Sequence, residues 1–400
     1  MITPLPLSGS GVRRGGFTIV ELLAATSVFI GLMLLLVTAT NQTGEMWRRS
    51  ATKIEQFQQA RRGFESMTRR ISQATLNTYW DYEYDIVNGR PDRSRPPKGY
   101  KRQSELRFRS GVADTLLGRN SQIVRPSHAV FFQAPLGFVD DDIGASNSKA
   151  SRKPLNNLLN TWGYFVEVND DTELVPQFIV GTLPPRVRSR LVEMMEPSEY
   201  LRMDNPSARA DGTLFDTNYD NPAFLDWFRV PVAKRTTIRV LSENILALVI
   251  LPRLTQQDEL ARLRSTPPRR DVLCPLYDYD SKRLSNNAAG IANPAAKATD
   301  PDLNPKNQLP PTVTISMVAI DEVSAQRLIQ RAGTDRTFGL ELPQLFRESR
   351  LLEDNPNSSE PGDGDLNLLE KKLIERKLTY RIFTSNVSIR GAKWSRSQEN

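Results

Sequence analysis

One apolar segment stands out in the pattern of hydrophobic and polar positions, and it lies near the start of the chain. From Phe17 to Val37 the residues are apolar, small or hydroxyl-bearing, and Glu21 is the only charged one. A helix of about 21 residues, at a rise of about 1.5 Å per residue, is roughly 31 Å long and matches the hydrocarbon core of a bilayer. The pattern therefore predicts a transmembrane helix over residues 17–37.

The helical pattern continues beyond this segment but becomes amphipathic. Apolar residues recur at spacings of three, four or seven positions, at Trp47, Ile54, Phe57, Phe64 and Ile71. The opposite face carries mostly arginine, lysine and glutamate. We predict one helix from about Phe17 to about Gln73, whose second half packs on a globular domain.

Downstream of the helix, the pattern changes to short strands and short helices. Alternating or compact apolar runs predict strands at 105–110, 129–133, 164–168, 236–241, 245–251, 312–320 and 379–390. Helices are predicted at 258–264, 321–331 and 366–377, with Asp321 as an N-cap and Gly333 as a C-terminal stop. The expected fold class is α+β, with a mainly antiparallel sheet in an outer domain over residues 76–400.

Three segments are predicted as loops. Residues 89–102 are rich in proline and basic residues. Residues 284–311 and 353–365 lack the apolar residues needed to order themselves, so both are expected to be flexible.

Composition narrows the function classes. The 400 residues are 39% hydrophobic and 25% charged, with a net charge of +7, which excludes a polytopic membrane protein, a collagen-like fibre and a wholly disordered chain. One cysteine, Cys274, excludes an internal disulfide and leaves almost no basis for a Cys/His zinc site. His128 is the only imidazole, so any Ser-His or Cys-His catalytic pair would have to use it.

The residues before the apolar segment are small, polar and basic. Arg13 and Arg14 precede the pair Gly15-Gly16, and basic residues beside a first apolar helix hold that side in the cytoplasm. A secretory signal peptide would have an apolar stretch of about 7–15 residues and then a small-x-small cleavage site. The apolar stretch here is longer and Thr38–Thr40 is a poor site, which leaves an uncleaved signal anchor as the other alternative.

The run Arg14-Gly15-Gly16-Phe17-Thr18-Ile19-Val20-Glu21-Leu22 resembles the type III signal of type IV prepilins and type II secretion pseudopilins. The resemblance implies cleavage between Gly16 and Phe17 by a prepilin peptidase, followed by N-methylation of Phe17. It also implies that the Glu21 carboxylate pairs with the N-terminal ammonium of a neighbouring subunit. The strand at 312–320, the DEVS that follows it and the closing YRIFTSNVSIRGAKW are similar to J-type minor pseudopilins and to Verru_Chthon cassette C proteins.

The resemblance implies a pilin-like architecture in three parts. A cytoplasmic leader peptide covers residues 1–16, an N-terminal pilin helix covers 17–75, and the outer domain covers 76–400. The expected protein is a minor subunit of a type IV pilus or a type II secretion pseudopilus, anchored once in the inner membrane with its outer domain in the periplasm or at the cell exterior. Its expected partners are the prepilin peptidase, other pilin or pseudopilin subunits and membrane lipid.

The outer domain offers little candidate chemistry, so we expect no enzymatic activity, no catalytic residues, no cofactor and no metal. The stretch Asp363-Gly-Asp365-Leu-Asn367 begins like an EF-hand loop, but leucine and isoleucine stand where glycine and the bidentate glutamate belong. Solvated loops are expected there and at Asp140–Asp142. His128 is expected to be structural, and Cys274 to be a buried small residue.

Aromatic residues suggest two candidate binding surfaces, but a core position or a solvated strand explains each of them more simply. Trp162, Tyr164 and Phe165 are expected in the core rather than in a carbohydrate platform. The tail, with Arg381, Arg390, Lys393 and Arg396 among aromatic residues, is typical of a solvated terminal strand, so we expect no nucleic acid partner. Two alternatives stay open: a membrane-anchored protein that binds polysaccharide or DNA and keeps residues 1–16, and an anchored enzyme with an unrecognised carboxylate site.

Overall fold

The structure is a computed structural model of the chain. It describes residues 18–87, 90–120, 122–139, 158–172, 178, 185–201, 226–235, 237–269, 271–283, 303–333, 335–352 and 363–394. The chain divides into two compact units, residues 1–55 and residues 56–400. Residues 1–17, Asp140–Asp142 and Arg396 lie outside the described residues, as do 284–302 and 353–362 of the two predicted flexible loops.

Helix α1 extends over Ile19–Ile71, within two residues of the predicted bounds. Proline is absent from this stretch, so no backbone N–H is missing from the helical ladder. At its end, Arg69 and Arg70 occupy the last turn, where cations favour the negative end of the helix dipole. The carbonyl of Ser72 then accepts a hydrogen bond of 2.9 Å from the backbone N–H of Arg390, which ties the helix end to the C-terminal part of the chain.

Thirteen strands follow within the described residues. They are β1 Tyr79–Glu83, β2 Ile86–Val87, β3 Arg90–Pro91, β4 Gly99–Gln103, β5 Arg109–Val112, β6 His128–Pro135, β7 Leu159–Asn169, β8 Arg188–Glu196, β9 Ile238–Glu243, β10 Ile245–Arg253, β11 Tyr279–Asp280, β12 Thr312–Ile320 and β13 Tyr380–Ser388. The shorter helices are α2 Ala113–Leu117, α3 Asp226–Lys234, α4 Gln256–Leu263, α5 Glu322–Ala332 and α6 Asp365–Glu375.

The strands form two main sheets, and every strand pair is antiparallel. One sheet has six strands in the order β11-β5-β6-β7-β8-β9, and the other has three in the order β10-β12-β13. Two small ribbons, β1-β4 and β2-β3, complete the strand pairing. A long N-terminal helix with antiparallel sheets is an α+β fold, as the sequence predicts.

The main core lies where the two sheets and the second half of α1 meet. Strand β10 contacts β6, β7 and β8 of the larger sheet. The chain passes from β9 to β10 through Asn244, whose φ of 60° lies in the left-handed region that asparagine tolerates. Helix α1 contributes Ala60, Phe64, Met67 and Ile71 to this core, so its predicted apolar stripe is buried from residue 60 onward.

A second, smaller core covers the opposite face of the six-stranded sheet. Its centre is a stack of Phe131 on Phe228, with ring centroids 4.0 Å apart. Phe131 lies opposite Gly163 in the strand register, and a Cβ on Gly163 would approach the Phe131 ring to 2.3 Å. Glycine is therefore required at this position, and the sheet is buried on both faces.

Several predicted elements agree with the structure, and some do not. Strand β12 has its predicted bounds, and α5 begins after Asp321, whose side chain accepts a 2.8 Å hydrogen bond from Ser324 N. The strand predicted at 105–110 begins only at residue 109, because Arg107 N and Phe108 N donate to the side chains of Gln133 and Ser281 instead of to a strand. Strand β8 is a further strand that the sequence analysis does not contain.

Two predicted loops are also corrected. Residues 89–102 contain β3, which pairs with Ile86–Val87, and part of β4, which pairs with Tyr79–Glu83. The local sequence does not reveal these partner strands. The segment from Leu303 to Leu309 lies against the folded domain, although it belongs to the stretch predicted as flexible. Asn307 and Gln308 are buried there, and the Tyr279 hydroxyl donates to the Gln308 carbonyl at 2.9 Å.

Candidate assembly segment and outer-domain sites

The start of α1 is closed by a reciprocal capping box around Glu21. Thr18 Oγ1 accepts a hydrogen bond of 3.3 Å from Glu21 N, and one carboxylate oxygen of Glu21 accepts from Thr18 N and Thr18 Oγ1, both at 3.2 Å. This is the T-x-x-E arrangement in which residues at the N-cap and three positions later satisfy each other's backbone N–H groups. The spacing is visible in the sequence, although the sequence analysis above considers only the charge of Glu21.

The first part of α1 presents apolar side chains on all sides. From Ile19 to Val37 the large apolar residues are at least half exposed within the described chain. The helix is long and apolar enough to cross a bilayer, by length and composition. The hydroxyls of Thr26 and Ser27 donate to the carbonyls of Leu22 and Ala24, at 2.9 Å and 2.8 Å, so they need no external partner.

In this segment, the Glu21 carboxylate is the group whose charge is not balanced by a described residue. Its capping contacts come from neutral donors, which satisfy lone pairs without balancing the charge. Among the residues that the structure describes, none forms an ion pair with Glu21. Gly16, Phe17, Arg13 and Arg14 lie outside that part of the chain, so the predicted cleavage junction and basic flank remain predictions from the sequence.

The second half of α1 makes specific polar contacts with the six-stranded sheet. Arg70 donates to the Glu193 carboxylate and, at 3.3 Å, to the Tyr164 hydroxyl, and its guanidinium lies 4.2 Å from the centre of the Trp162 ring. Glu193 is fully buried and also accepts from Arg239. This carboxylate, on the unpredicted strand β8, thus connects the helix with two strands.

His128 begins β6, one residue before the strand predicted at 129–133, and its hydrogen bonds are structural. Its Nδ1 accepts from Ile250 N at 3.1 Å, which leaves Nε2–H to donate to the Phe346 carbonyl at 2.9 Å. Burial lowers the pKa of His128 to about 4. The ring is therefore neutral at pH 7, and both nitrogens are engaged by backbone groups rather than by a catalytic partner.

A buried charge cluster lies beside the β5–β11 pair. Burial alone would raise the pKa of the Asp280 carboxyl, but the guanidiniums of Arg107, Arg109 and Arg283 outweigh it and hold that pKa well below its usual range. Arg107 donates to Asp280 Oδ1 at 2.9 Å, and Arg283 donates to Asp278 at 2.6 Å. Arginines from β5 and its preceding residues and from the segment after β11 thus compensate the two aspartates inside the domain, an arrangement that favours a structural role over a reactive one.

The remaining candidates form local hydrogen bonds or ion pairs, or are buried in the cores. Asp365, in the first turn of α6, accepts a 2.8 Å hydrogen bond from Phe346 N, and Asp363 lies 3.6 Å from the Lys371 ammonium. Cys274 is buried, as predicted. Trp162, Tyr164 and Phe165 are fully buried in the cores, which confirms that they form no carbohydrate platform.

The structure adds one surface that the sequence analysis missed. On the β1–β4 ribbon, one face carries Trp80, Tyr82, Tyr84, Tyr100 and Arg102, which we name the aromatic face. Ring centroids of Tyr82 and Tyr100 are 5.2 Å apart, those of Tyr82 and Tyr84 are 6.2 Å apart, and Arg102 lies 5.5 Å from the centre of the Trp80 ring. The aromatic residues at every second position, 80, 82 and 84, were a signal that could have revealed this face.

Comparisons of the chain with protein-family models, with curated proteins and with solved structures found no match.

Proposed function

We propose that the chain is a prepilin-like structural subunit with a pilin-like fold. A prepilin peptidase cleaves it between Gly16 and Phe17, and Phe17 is N-methylated. The mature helix then enters a type IV pilus or a type II secretion pseudopilus, where the large outer domain makes it a minor subunit. The observation that carries the proposal is the exposed apolar start of α1, which follows the Gly16-Phe17 junction and contains a single carboxylate, Glu21.

The physical argument concerns the charge of Glu21. An ionised carboxylate inside lipid costs about 2.5–3.5 kcal/mol at the centre of a membrane helix, and less near the interface. In the single chain, the capping box provides hydrogen bonds to one oxygen of the Glu21 carboxylate without neutralising its charge. The N-terminal ammonium that cleavage creates on a neighbouring subunit would neutralise it, so assembly removes a cost that the isolated subunit bears.

The orientation in the membrane is part of the proposal. Arg13 and Arg14 lie just before the apolar segment, but Arg48, Arg49 and Lys53 follow it by 11 to 16 positions. Basic residues within about 15–20 positions of a membrane helix influence its orientation, so the charge balance alone decides little. Protease treatment of spheroplasts tests the orientation directly, and digestion of the outer domain from outside is the expected result.

The decisive experiment determines the N-terminus of the full chain recovered from membranes. We expect N-methyl-Phe17 in a host with a prepilin peptidase, and Met1 in the same host without it. Gly16→Val should abolish cleavage, because a side chain then stands at the scissile position, whereas Gly11→Val in the same leader should be cleaved normally. An intact Met1 in the competent host would refute the proposal and would favour a membrane-anchored binding protein.

The assembly role of Glu21 is tested separately from cleavage. Glu21→Gln keeps an oxygen for the capping box but removes the charge, and Glu21→Val removes both. Both variants should be processed normally and should enter filaments poorly, while the control Glu45→Gln, on the same helix, should assemble. Normal incorporation of Glu21→Gln would show that capping, and not charge pairing, is the role of this residue.

A further inference from the structure

The aromatic face brings several exposed rings together on one side of the β1–β4 ribbon. Trp80 is 62% exposed, Tyr100 is 63% exposed and Tyr82 is 49% exposed. Buried tyrosine and tryptophan elsewhere in the domain, such as Tyr164 and Trp162, belong to the core. Rings on alternate positions of one strand and on the paired strand lie together on one side of the ribbon.

The ribbon is held to the domain at its base. Asn77 Oδ1 accepts hydrogen bonds of 3.0 Å from Glu105 N and Leu106 N, and the Tyr79 hydroxyl donates to Glu105 at 2.6 Å. Arg102 donates to the Gln308 side chain at 3.0 Å. The aromatic face is thus positioned before any ligand arrives, which lowers the entropy cost of binding.

We propose that the aromatic face binds a neutral polysaccharide, with sugar rings stacked on Trp80, Tyr82 and Tyr100. The C–H groups of a pyranose ring pack on the face of an aromatic ring, and the sugar hydroxyls then point to the polar groups at the edge. The hydroxyls of Tyr82 and Tyr100 supply such groups at the border of the face.

The size of the face favours a glycan over a protein. An aromatic side chain offers about 150–250 Å² of surface, so three rings that are half to two-thirds exposed present roughly 300–400 Å². A stable protein complex buries about 800 Å² on each partner. The three rings supply about half of that area, whereas a few sugar rings would cover them.

The charge of the face favours a neutral sugar over a nucleic acid. A single strand brings about one phosphate for each base that stacks, and its binding sites add cations along the same groove. Among the side chains of this ribbon that the structure describes, Arg102 is the cation on the aromatic face, and it is already engaged by Trp80 and Gln308. At the far end of the ribbon, Lys98 pairs with Asp85 and Arg95 pairs with Asp92.

Affinity electrophoresis of the full chain in detergent tests the proposal. Native gels contain hydroxyethyl cellulose, glucomannan, dextran or soluble starch, and a separate binding assay uses oligothymidylate. We expect retardation by at least one of the four polysaccharides. Trp80→Ala should weaken the affinity by roughly tenfold, and the triple variant Trp80→Ala, Tyr82→Ala, Tyr100→Ala should abolish it.

Matched variants separate binding from folding. Trp80→Phe keeps a ring and should retain most of the retardation, and Tyr200→Ala removes an exposed tyrosine outside the ribbon and should behave as the unchanged protein. The melting temperature of the triple variant should stay close to that of the unchanged protein, because none of the three rings belongs to either core. The result does not depend on leader cleavage, so it stands apart from the subunit proposal.

Three results would overturn the proposal. One is the absence of retardation by all four polysaccharides. Another is equal retardation of the triple variant and the unchanged protein. The third is binding of oligothymidylate that the triple variant loses, which would assign the face to single-stranded nucleic acid.

Discussion

Helix α1 is one continuous element, but its two halves have opposite surroundings. Over residues 19–37 apolar side chains point in every direction and stay exposed, as with Phe29 at 59%. Over residues 56–71 one stripe is apolar, and Phe64 in that stripe is only 6% exposed. The backbone geometry is the same, so the difference shows that side-chain pattern, and not helicity, decides whether a helix needs lipid or a protein core.

The polar groups of the two halves also differ, because their hydrogen-bond partners are local in the first half and distant in sequence in the second. Thr26 and Ser27 in the first half donate to carbonyls of their own helix, which is the solution available where no water or distant partner is present. Arg70 in the second half bonds instead to Glu193, more than a hundred residues away in sequence. Residues of the first half are thus self-sufficient apart from Glu21, while those of the second half depend on the sheet.

Removing a phenylalanine from each half should break this comparison most clearly. Phe64→Ala should lower the free energy of unfolding of the outer domain by about 3–5 kcal/mol, because it removes a buried ring that lies 5.9 Å from Phe383. Phe29→Ala, in the exposed half, should leave that free energy unchanged. Urea unfolding of the full chain in detergent measures both, and similar losses in the two variants would show that our division of the helix is wrong.

Neutralising a carboxylate on or against the helix should have the next largest effect. Glu193→Gln should destabilise the domain by about 2–3 kcal/mol, because Arg70 and Arg239 lose a buried counter-charge. Glu65→Gln affects only the exposed pair with Arg61, which is worth about 0.3–0.5 kcal/mol. Urea unfolding measures both variants. Equal losses of unfolding free energy in Glu193→Gln and Glu65→Gln would contradict a stabilising contact between α1 and the six-stranded sheet at Glu193.

The outer domain should lose stability in mild acid through His128. Its folded pKa of about 4 lies below the unfolded value of about 6.5, so the unfolded chain binds the proton first. The stability contributed by the neutral ring is complete above pH 6.5 and falls as the pH drops toward 4, by about 2 kcal/mol at pH 5.

His128→Gln isolates this contribution, because the chain has no other histidine. The variant should be less stable at pH 7, yet its stability should change less between pH 6.5 and 5 than that of the unchanged protein. Urea unfolding at several pH values measures the two slopes. Equal slopes would mean that the ring titrates normally in the folded state.

The smallest expected effect concerns the capping box at the start of the apolar half of α1. Thr18→Ala removes the hydroxyl of the capping box and should cost about 1 kcal/mol, confined to the first turn of α1. Hydrogen exchange of residues 19–22 should therefore accelerate, while the unfolding of the outer domain stays the same. Thr26→Ala, which removes a hydroxyl from the middle of the segment, is the control and should leave the first turn protected.

Local patterns were enough to predict the long helix, strand β12 and the Asp321 cap. Each of these depends on residues close together in sequence, such as the apolar run from Phe17 or the alternation of residues 312–320. The capping box of Thr18 and Glu21 belongs to the same class. Its T-x-x-E spacing is present in the sequence.

Only the tertiary structure decided where the charged residues of β8 and the rings of the β1–β4 ribbon lie. Glutamate is usually exposed, but Glu193 is buried because Arg70 of α1 and Arg239 of β9 donate hydrogen bonds to its carboxylate. Large aromatic side chains such as Trp80 and Tyr100 are usually buried to a large extent. Here they are exposed because their ribbon lies outside both main sheets. A sequence determines the period and length of its elements through local sterics and hydrophobic spacing. The burial of a given side chain depends on which distant residues pack against it, and that information is absent from any short stretch of the chain.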